Sequence, residues 1–303
     1  MSDASTIRHD VILPAETGDT LPAVRSIDFN DIEYALRRGV EDFRAMPTHA
    51  LFIGVLYAIA GLLVGRAALG YELVTLIFPL AAGFALIGPF AALGLYELSR
   101  RREMGRDTSW RHLFDFTHLP TFWSIVGLGA LLVVLFLIWI AVADGLYISY
   151  FGHRNVTSFS DLLNKILGSP QGREFFVVGN AVGLLFAIAA FVLSVISFPL
   201  LLDRHVSLAT AMATSLKVVL ENPVTMLCWA LIVSGGLFLG ALPALAGLAI
   251  VVPVLGHATW HLYRRALEPA PSERPEYIPK PKHKRYAAQF PMSLFAGTRE
   301  WED

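Results

Sequence analysis

Cysteine is nearly missing from this sequence of 303 residues, which holds a single thiol, Cys228. One cysteine makes no intrachain disulfide and no zinc site. Cys228 sits in an apolar run and reads as a small core residue. Charge is also scarce: 16% of residues are Asp, Glu, Lys or Arg, against 55% hydrophobic. A soluble domain of this length needs far more polar surface, so the composition points to a membrane class. The formal net charge of -1 offers no global basic field for nucleic acid. Phosphate loop, nucleophile elbow, dinucleotide fingerprint and nucleic-acid module are all missing, and the sequence reveals no chemical reaction. The first residues lack a basic start followed by an apolar core, so they do not read as a cleavable signal, and insertion is expected to rely on internal segments.

What is present is a series of long apolar runs. A spanning helix needs roughly 20 mostly apolar residues. Residues 48–69, 73–96, 122–143 and 175–202 meet that need, with Arg66 placed to snorkel. The run between Glu221 and Arg264 is too long for one span. Gly240 and Pro243 near its middle predict a tight turn between two helices, about 223–240 and 244–263. Counting Lys and Arg in the connections places 20 on one side of these six spans and 4 on the other. The positive-inside bias then puts both termini in the cytoplasm.

The chain also repeats itself. Residues 78–102 match residues 242–266 without a gap at an offset of 164. Pro79 meets Pro243, Gly83 meets Gly247, Pro89 meets Pro253, Tyr96 meets Trp260, and Arg100 and Arg101 meet Arg264 and Arg265. Residues 30–47 match 206–223 at an offset of 176, so Pro47 meets Pro223. Each unit would be an amphipathic helix, a proline and two spans, so the copies are parallel. The middle of the chain has two readings: a degenerate third copy, with Ser109 to Thr117 as its short amphipathic helix and Pro120 after it, or apolar helices alike by composition alone.

In the first amphipathic helix Asn30 is the expected N-cap, with Glu33 three residues on and Phe29 and Tyr34 placed for a hydrophobic staple. Ile32, Leu36, Val40 and Phe43 make one stripe, and Arg37, Arg38, Glu41, Asp42 and Arg44 face away. Beside a membrane entry, such a helix either lies in the interface as a docking or lipid-sensing face or packs on the bundle as a collar. Residues 159–167 read as a similar short helix on the outer side.

Few residues offer chemistry. His257 and His261 are four apart on the last helix and share a face, a spacing compatible with a metal or haem iron. Only two ligands are visible, so the alternative is an interfacial belt with Trp260 and Tyr263, and no metal or cofactor is expected. Asn180 is the deepest strong polar group and Asp144 lies at the outer end of its helix; together they mark a possible polar cavity. Arg37, Arg38, Arg100, Arg101, Trp260, Arg264 and Arg265 are the expected lipid or interface residues. The tail 268–303 is rich in proline and charge and reads as extended, with Lys280, Lys282, Lys284 and Arg285 either touching anionic lipid or serving as a plain retention signal for topology.

The stretches VRSIDFNDIEYALRRGVEDFRAMP, FPLLLDRHVSLATAMATSLKVVLENPVTMLCWALIVSGG and LPALAGLAIVVPVLGHATWHLYRRALE resemble a bacterial family of integral membrane proteins, domain of unknown function 2189. The resemblance covers roughly residues 24–267. It implies a bacterial inner membrane and no established activity, so no catalytic residue is carried over. Relatives sometimes bear a cytochrome-oxidase label, for which His257 and His261 are the nearest ligands here.

The expectation is an all-α membrane protein: a flexible cytoplasmic N-terminus (1–28), six transmembrane helices in hairpins with cytoplasmic amphipathic helices (29–267), and a cytoplasmic basic tail (268–303). Its partners would be membrane lipids and a protein at the cytoplasmic face, with no nucleic acid. Its function would be a non-enzymatic scaffold, assembly or accessory subunit; the alternatives are a carrier or channel for a small or lipid-like solute and a respiratory-oxidase-associated subunit.

Overall fold

Long runs of Leu, Val, Ala and Ile without a breaker favour continuous helix once no water competes for the backbone. The computed structural model describes residues 15–16, 21–70, 80, 88–152 and 159–270. The helices are α1 (Phe29–Ala45), α2 (Pro47–Gly70), α3 (Gly88–Glu103), a 3₁₀ helix (Trp110–His118), α4 (Phe122–Phe151), α5 (Phe159–Gly168), α6 (Pro170–Ser194), α7 (Ser197–Asp203), α8 (Leu208–Glu221), α9 (Pro223–Ala241) and α10 (Leu248–Ala266). Two short strands, β1 (Ala15–Glu16) and β2 (Arg204–His205), pair in parallel.

Among the described residues, three helical stretches are long and apolar enough to cross a membrane: α4 with 30 residues, Pro170–Asp203 with 34 and α9 with 19. The chain is thus all-α and membrane-like. The expected span 48–69 lies inside α2, and 244–263 becomes α10 from Leu248 onward. Of 73–96, residues 80 and 88–96 are helical, and the rest, with Pro79 and Gly83, lies outside the described residues. The expected turn falls at residues 242–247, but the positive φ values are carried by Ala244 (50°) and Leu245 (66°) rather than by glycine.

The stretch Pro170–Asp203 breaks at Val195–Ile196. Pro199 has no N–H to give back along the helix. Ser215 on α8 serves the break from the side: its Oγ accepts from the Ile196 N–H at 3.3 Å and donates to the Val192 carbonyl at 2.6 Å. Ser197 Oγ donates to the Ala211 carbonyl at 3.1 Å.

Helix α10 sits at the centre, against α1, α2, α3 and α9. Small residues let these neighbours close in. A Cβ at Gly39 would lie 2.8 Å from Ala258, and one at Gly256 would lie 2.7 Å from Leu95. At Gly54 it would run into the carbonyl of Ala249. Pro253 leaves that same carbonyl without its helical donor, so the freed oxygen faces protein and not the surroundings.

Helix α1 corrects two sequence expectations. Its N-cap is Asp28 and not Asn30. The Asp28 carboxylate accepts from the N–H of Asn30 and of Asp31, and Asp31 answers by accepting from the Asp28 N–H at 3.0 Å. The two aspartates together satisfy three backbone donors at the start of the helix. The buried face also rotates, running through Ile32, Ala35, Gly39 and Asp42. Close approach to α10 selects the small residues, while Leu36, Val40 and Phe43 remain half-buried.

The N-terminal stretch is not wholly free either. Residues 21–28 are held by Asn222, whose Oδ1 accepts from the Ile27 N–H at 2.8 Å and whose Nδ2 donates to the Arg25 carbonyl. Backbone bonds Arg25 N–H to Ala266 and Glu268 N–H to Ala23 tie the same stretch to the end of α10. Residues 1–14 and the tail from 271 lie outside the described residues.

Two corners of the chain share one geometry. Met46 ends α1 at φ -132°, ψ 47°, and Asn222 ends α8 at φ -128°, ψ 51°; in each case proline opens the next helix.

Candidate functional site

Helix α3 ends in the sequence LYELSRRRE, a carboxylate followed by guanidiniums one turn on, which pairs them along one face. Glu97 accepts from Arg100 at 3.2 Å and from Arg101 at 2.9 Å. All three side chains are buried, with Arg101 at 0% exposure. Buried charge is stable only with partners on every side. The partners arrive from three other elements. Asp115 of the 3₁₀ helix accepts from Arg101 at 2.5 Å and bonds His112 Nδ1 at 2.7 Å. Asp203, the last residue of α7, lies 3.5 Å from Arg100 Nε and accepts from the Tyr263 hydroxyl at 2.6 Å. Arg264 of α10 bonds Glu103 at 3.0 Å, and Trp260 Nε1 donates to the same carboxylate at 3.1 Å.

A second cluster joins α1, α3 and α10 around Asp42. The Asp42 carboxylate accepts from Ser99 Oγ at 2.6 Å, from His261 Nε2 at 2.8 Å and from Arg102. His257 Nδ1 meets Ser99 Oγ at 2.7 Å. Burial pushes the Asp42 carboxyl up, but the hydrogen bond and charge of His261, the charge of His257 and the Ser99 hydroxyl outweigh it and hold the group below the ordinary carboxylate range.

The histidine pair is therefore brought together, yet not as an interfacial belt. His257, His261, Trp260 and Tyr263 are all buried, because α1 and α3 cover that face of α10. The arrangement fits a haem poorly: His261 Nε2 is occupied by Asp42, and the backbone of α1 at Gly39 lies against Ala258 between the histidines. Among the described residues, no group of three or more His, Cys, Asp or Glu is placed to hold a metal.

The other candidates scatter. Arg100, Arg101 and Trp260, expected at the lipid interface, are instead buried, where carboxylates from α3, the 3₁₀ helix and α7 bond them. Arg37 is exposed and Arg38 pairs with Glu41 at 2.9 Å. Arg264 is half-buried in the network, and Arg265 bonds Asp31 at 2.6 Å while its guanidinium stands 5.3 Å over the Tyr34 ring. Asn180 is exposed and donates to the Phe176 carbonyl of its own helix at 2.7 Å. Asp144 is half-buried on α4.

Sequence reasoning passed over Asp42, Glu97, Ser99, His112, Asp115 and Asp203. The Glu97–Arg101 spacing was a readable signal. Asp42 was placed on the outward face because the stripe was centred on the larger apolar residues.

Residues 77–203 match a family described as predicted integral membrane protein, domain of unknown function 2189. The match is narrower than the resemblance over 24–267, and it runs through α3, the 3₁₀ helix and α4 to Asp203. No curated protein and no solved structure matches the chain.

Proposed function

We propose that this integral membrane protein crosses a bacterial inner membrane six times, with both termini in the cytoplasm, and serves as a non-enzymatic scaffold, assembly or accessory subunit. One observation carries the reading. The buried carboxylates and guanidiniums gather into closed clusters where the C-terminal turns of α1, α3, α7 and α10 meet, and each is answered by a partner. A carrier or a proton path needs ionisable or polar groups deep in the bundle with somewhere to lead. Here the long helices instead turn apolar side chains outward, such as Leu137 of α4, Leu185 of α6 and Leu231 of α9.

The arginines of the network stand on the side with the Lys and Arg excess, which supports placing that end in the cytoplasm. The matching corners at Met46 and Asn222 support a parallel duplication of an amphipathic helix followed by a hairpin. The packing of α1 against α10 favours the collar over a free lipid sensor, leaving Arg37 and the outer face of α1 for a protein partner.

Reporter fusions test the topology. An enzyme active only in the cytoplasm should work after residue 303, and one active only in the periplasm should work when inserted at 154–170. A cytoplasmic signal from 154–170 rejects the six-span arrangement. Affinity purification should bring down one stoichiometric protein partner, whereas solute uptake by the protein alone in liposomes would make it a carrier.

A further inference from the structure

The 3₁₀ helix Trp110–His118 is amphipathic in the wrong sense for a surface that meets water. Its inward side carries His112 and Asp115, both buried in the ion network, together with Leu113 against Met46 and Leu98. Its outward side carries Trp110 at 61% exposure and Phe114 at 59%. In a 3₁₀ helix, residues three apart align, so Arg111, Phe114 and Thr117 form one exposed row. Two residues past Thr121, Trp123 in the first turn of α4 is 76% exposed, and its ring meets Phe122 edge to face at 5.4 Å between centroids. Thr121 holds this junction to the bundle by donating to the Leu201 carbonyl at 2.7 Å.

Charges inside and aromatic rings outside is a costly choice against water. It is the expected one at the membrane–water boundary, where Trp and Phe bodies sit among headgroups and an Arg side chain reaches a phosphate. The row also continues into the outward apolar face of α4, where Leu131, Val134 and Ile138 are exposed.

We propose that Trp110–His118 and the first turn of α4 form a foot seated in the headgroup layer of the cytoplasmic leaflet, with Trp110, Phe114 and Trp123 at the interface and Arg111 on a phospholipid phosphate. The proposal rests on the reading of α4 as a membrane span. Its other exposed charges are Arg106 and Asp107, the latter bonded to His112 at 3.2 Å and to the Ser109 N–H.

The test uses the full chain in vesicles of phosphatidylethanolamine and phosphatidylglycerol, in a Cys228→Ala background with one spin label at a time. Leu137→Cys reports the middle of α4, Glu33→Cys reports water, and Phe114→Cys reports the foot. Oxygen and a water-soluble nickel chelate are the relaxing agents. The Leu137 label should be open to oxygen and shielded from nickel. The Phe114 label should be open to oxygen, with nickel accessibility several-fold below that of the Glu33 label. Arg111→Glu should raise the nickel accessibility at Phe114, and an unchanged value overturns the phosphate contact. A Phe114 label as open to nickel as Glu33, or closed to both reagents as under a protein partner, overturns the foot while the span stands. A Leu137 label open to nickel overturns the span, and the foot with it.

Discussion

Asp42 accepts from a serine, a histidine and an arginine while almost completely buried. Removing one partner of such a cluster leaves the others without a counter-charge, at about 3–5 kcal/mol. Asp42→Asn should therefore lower the unfolding midpoint in detergent at neutral pH. The carboxyl is held below its ordinary value, so its stabilisation is present above the unfolded value of about 4 and is lost as the pH falls toward the folded one. The gap between the parent and Asp42→Asn should shrink when unfolding is followed at pH 3 to 4. A gap of constant size would mean that shape and not charge holds α1 to α10. Glu97 was legible in this respect, since its partners lie three and four residues along the same helix. Asp42 was not, because His261 is 219 residues away and only the fold brings it near.

Helix packing turns on the same question of distance. On α2, Gly54 lies against the backbone of Ala249, whereas Gly65 has no atom within 4 Å of a built Cβ. Gly54→Ala should push α2 from α10 and destabilise by roughly 1–3 kcal/mol, as overpacking does. Gly65→Ala should be neutral or up to about 1 kcal/mol stabilising through helix propensity. Thermal unfolding of the two variants separates these outcomes, and equal effects would show that α2 is not seated on α10. The helix ends were readable: proline at 47 and 223 and the break at 242–247 act through local backbone sterics. The cap of α1 was misread by two residues because Asp28 and Asn30 are both good caps, and only the position of Asp31 decides between them.

At the scale of the whole chain, the segment before α1 and the end of α10 are laced together through Asn222. Asn222→Ala leaves the buried Ile27 N–H unpaired, a loss of about 1–3 kcal/mol borne locally. Trypsin should then cleave after Arg25 several-fold faster than in the parent protein, while Glu33→Ala on the exposed face of α1 should leave the rate unchanged. An unchanged rate in Asn222→Ala would mean that the strand contacts, the backbone bonds to the end of α10 and the Thr225 hydroxyl on the Ile27 carbonyl hold the segment without Asn222. The purified protein should also show no Soret absorption, since His261 is occupied and α1 fills the face a porphyrin would need; a haem spectrum lost in His257→Ala would reverse that conclusion.

The sequence alone determined the helical class, the membrane solvent and most helix boundaries, because apolar run length, proline and glycine act over a few residues. The pairing inside α3 stands in the sequence as well, unread there, since one helical turn sets the contact. Which face of each helix turns inward was decided by the tertiary structure. In α1 the small side of the helix won over the larger apolar stripe, since Gly39 and Ala35 let the backbone reach α10 and carry Asp42 to His261 and Ser99. In the 3₁₀ helix the polar side went in, because Arg101 was already buried and needed Asp115. Ion pairing in a low-dielectric interior is strong enough to override periodicity, and its partners come from parts of the chain that no local pattern connects.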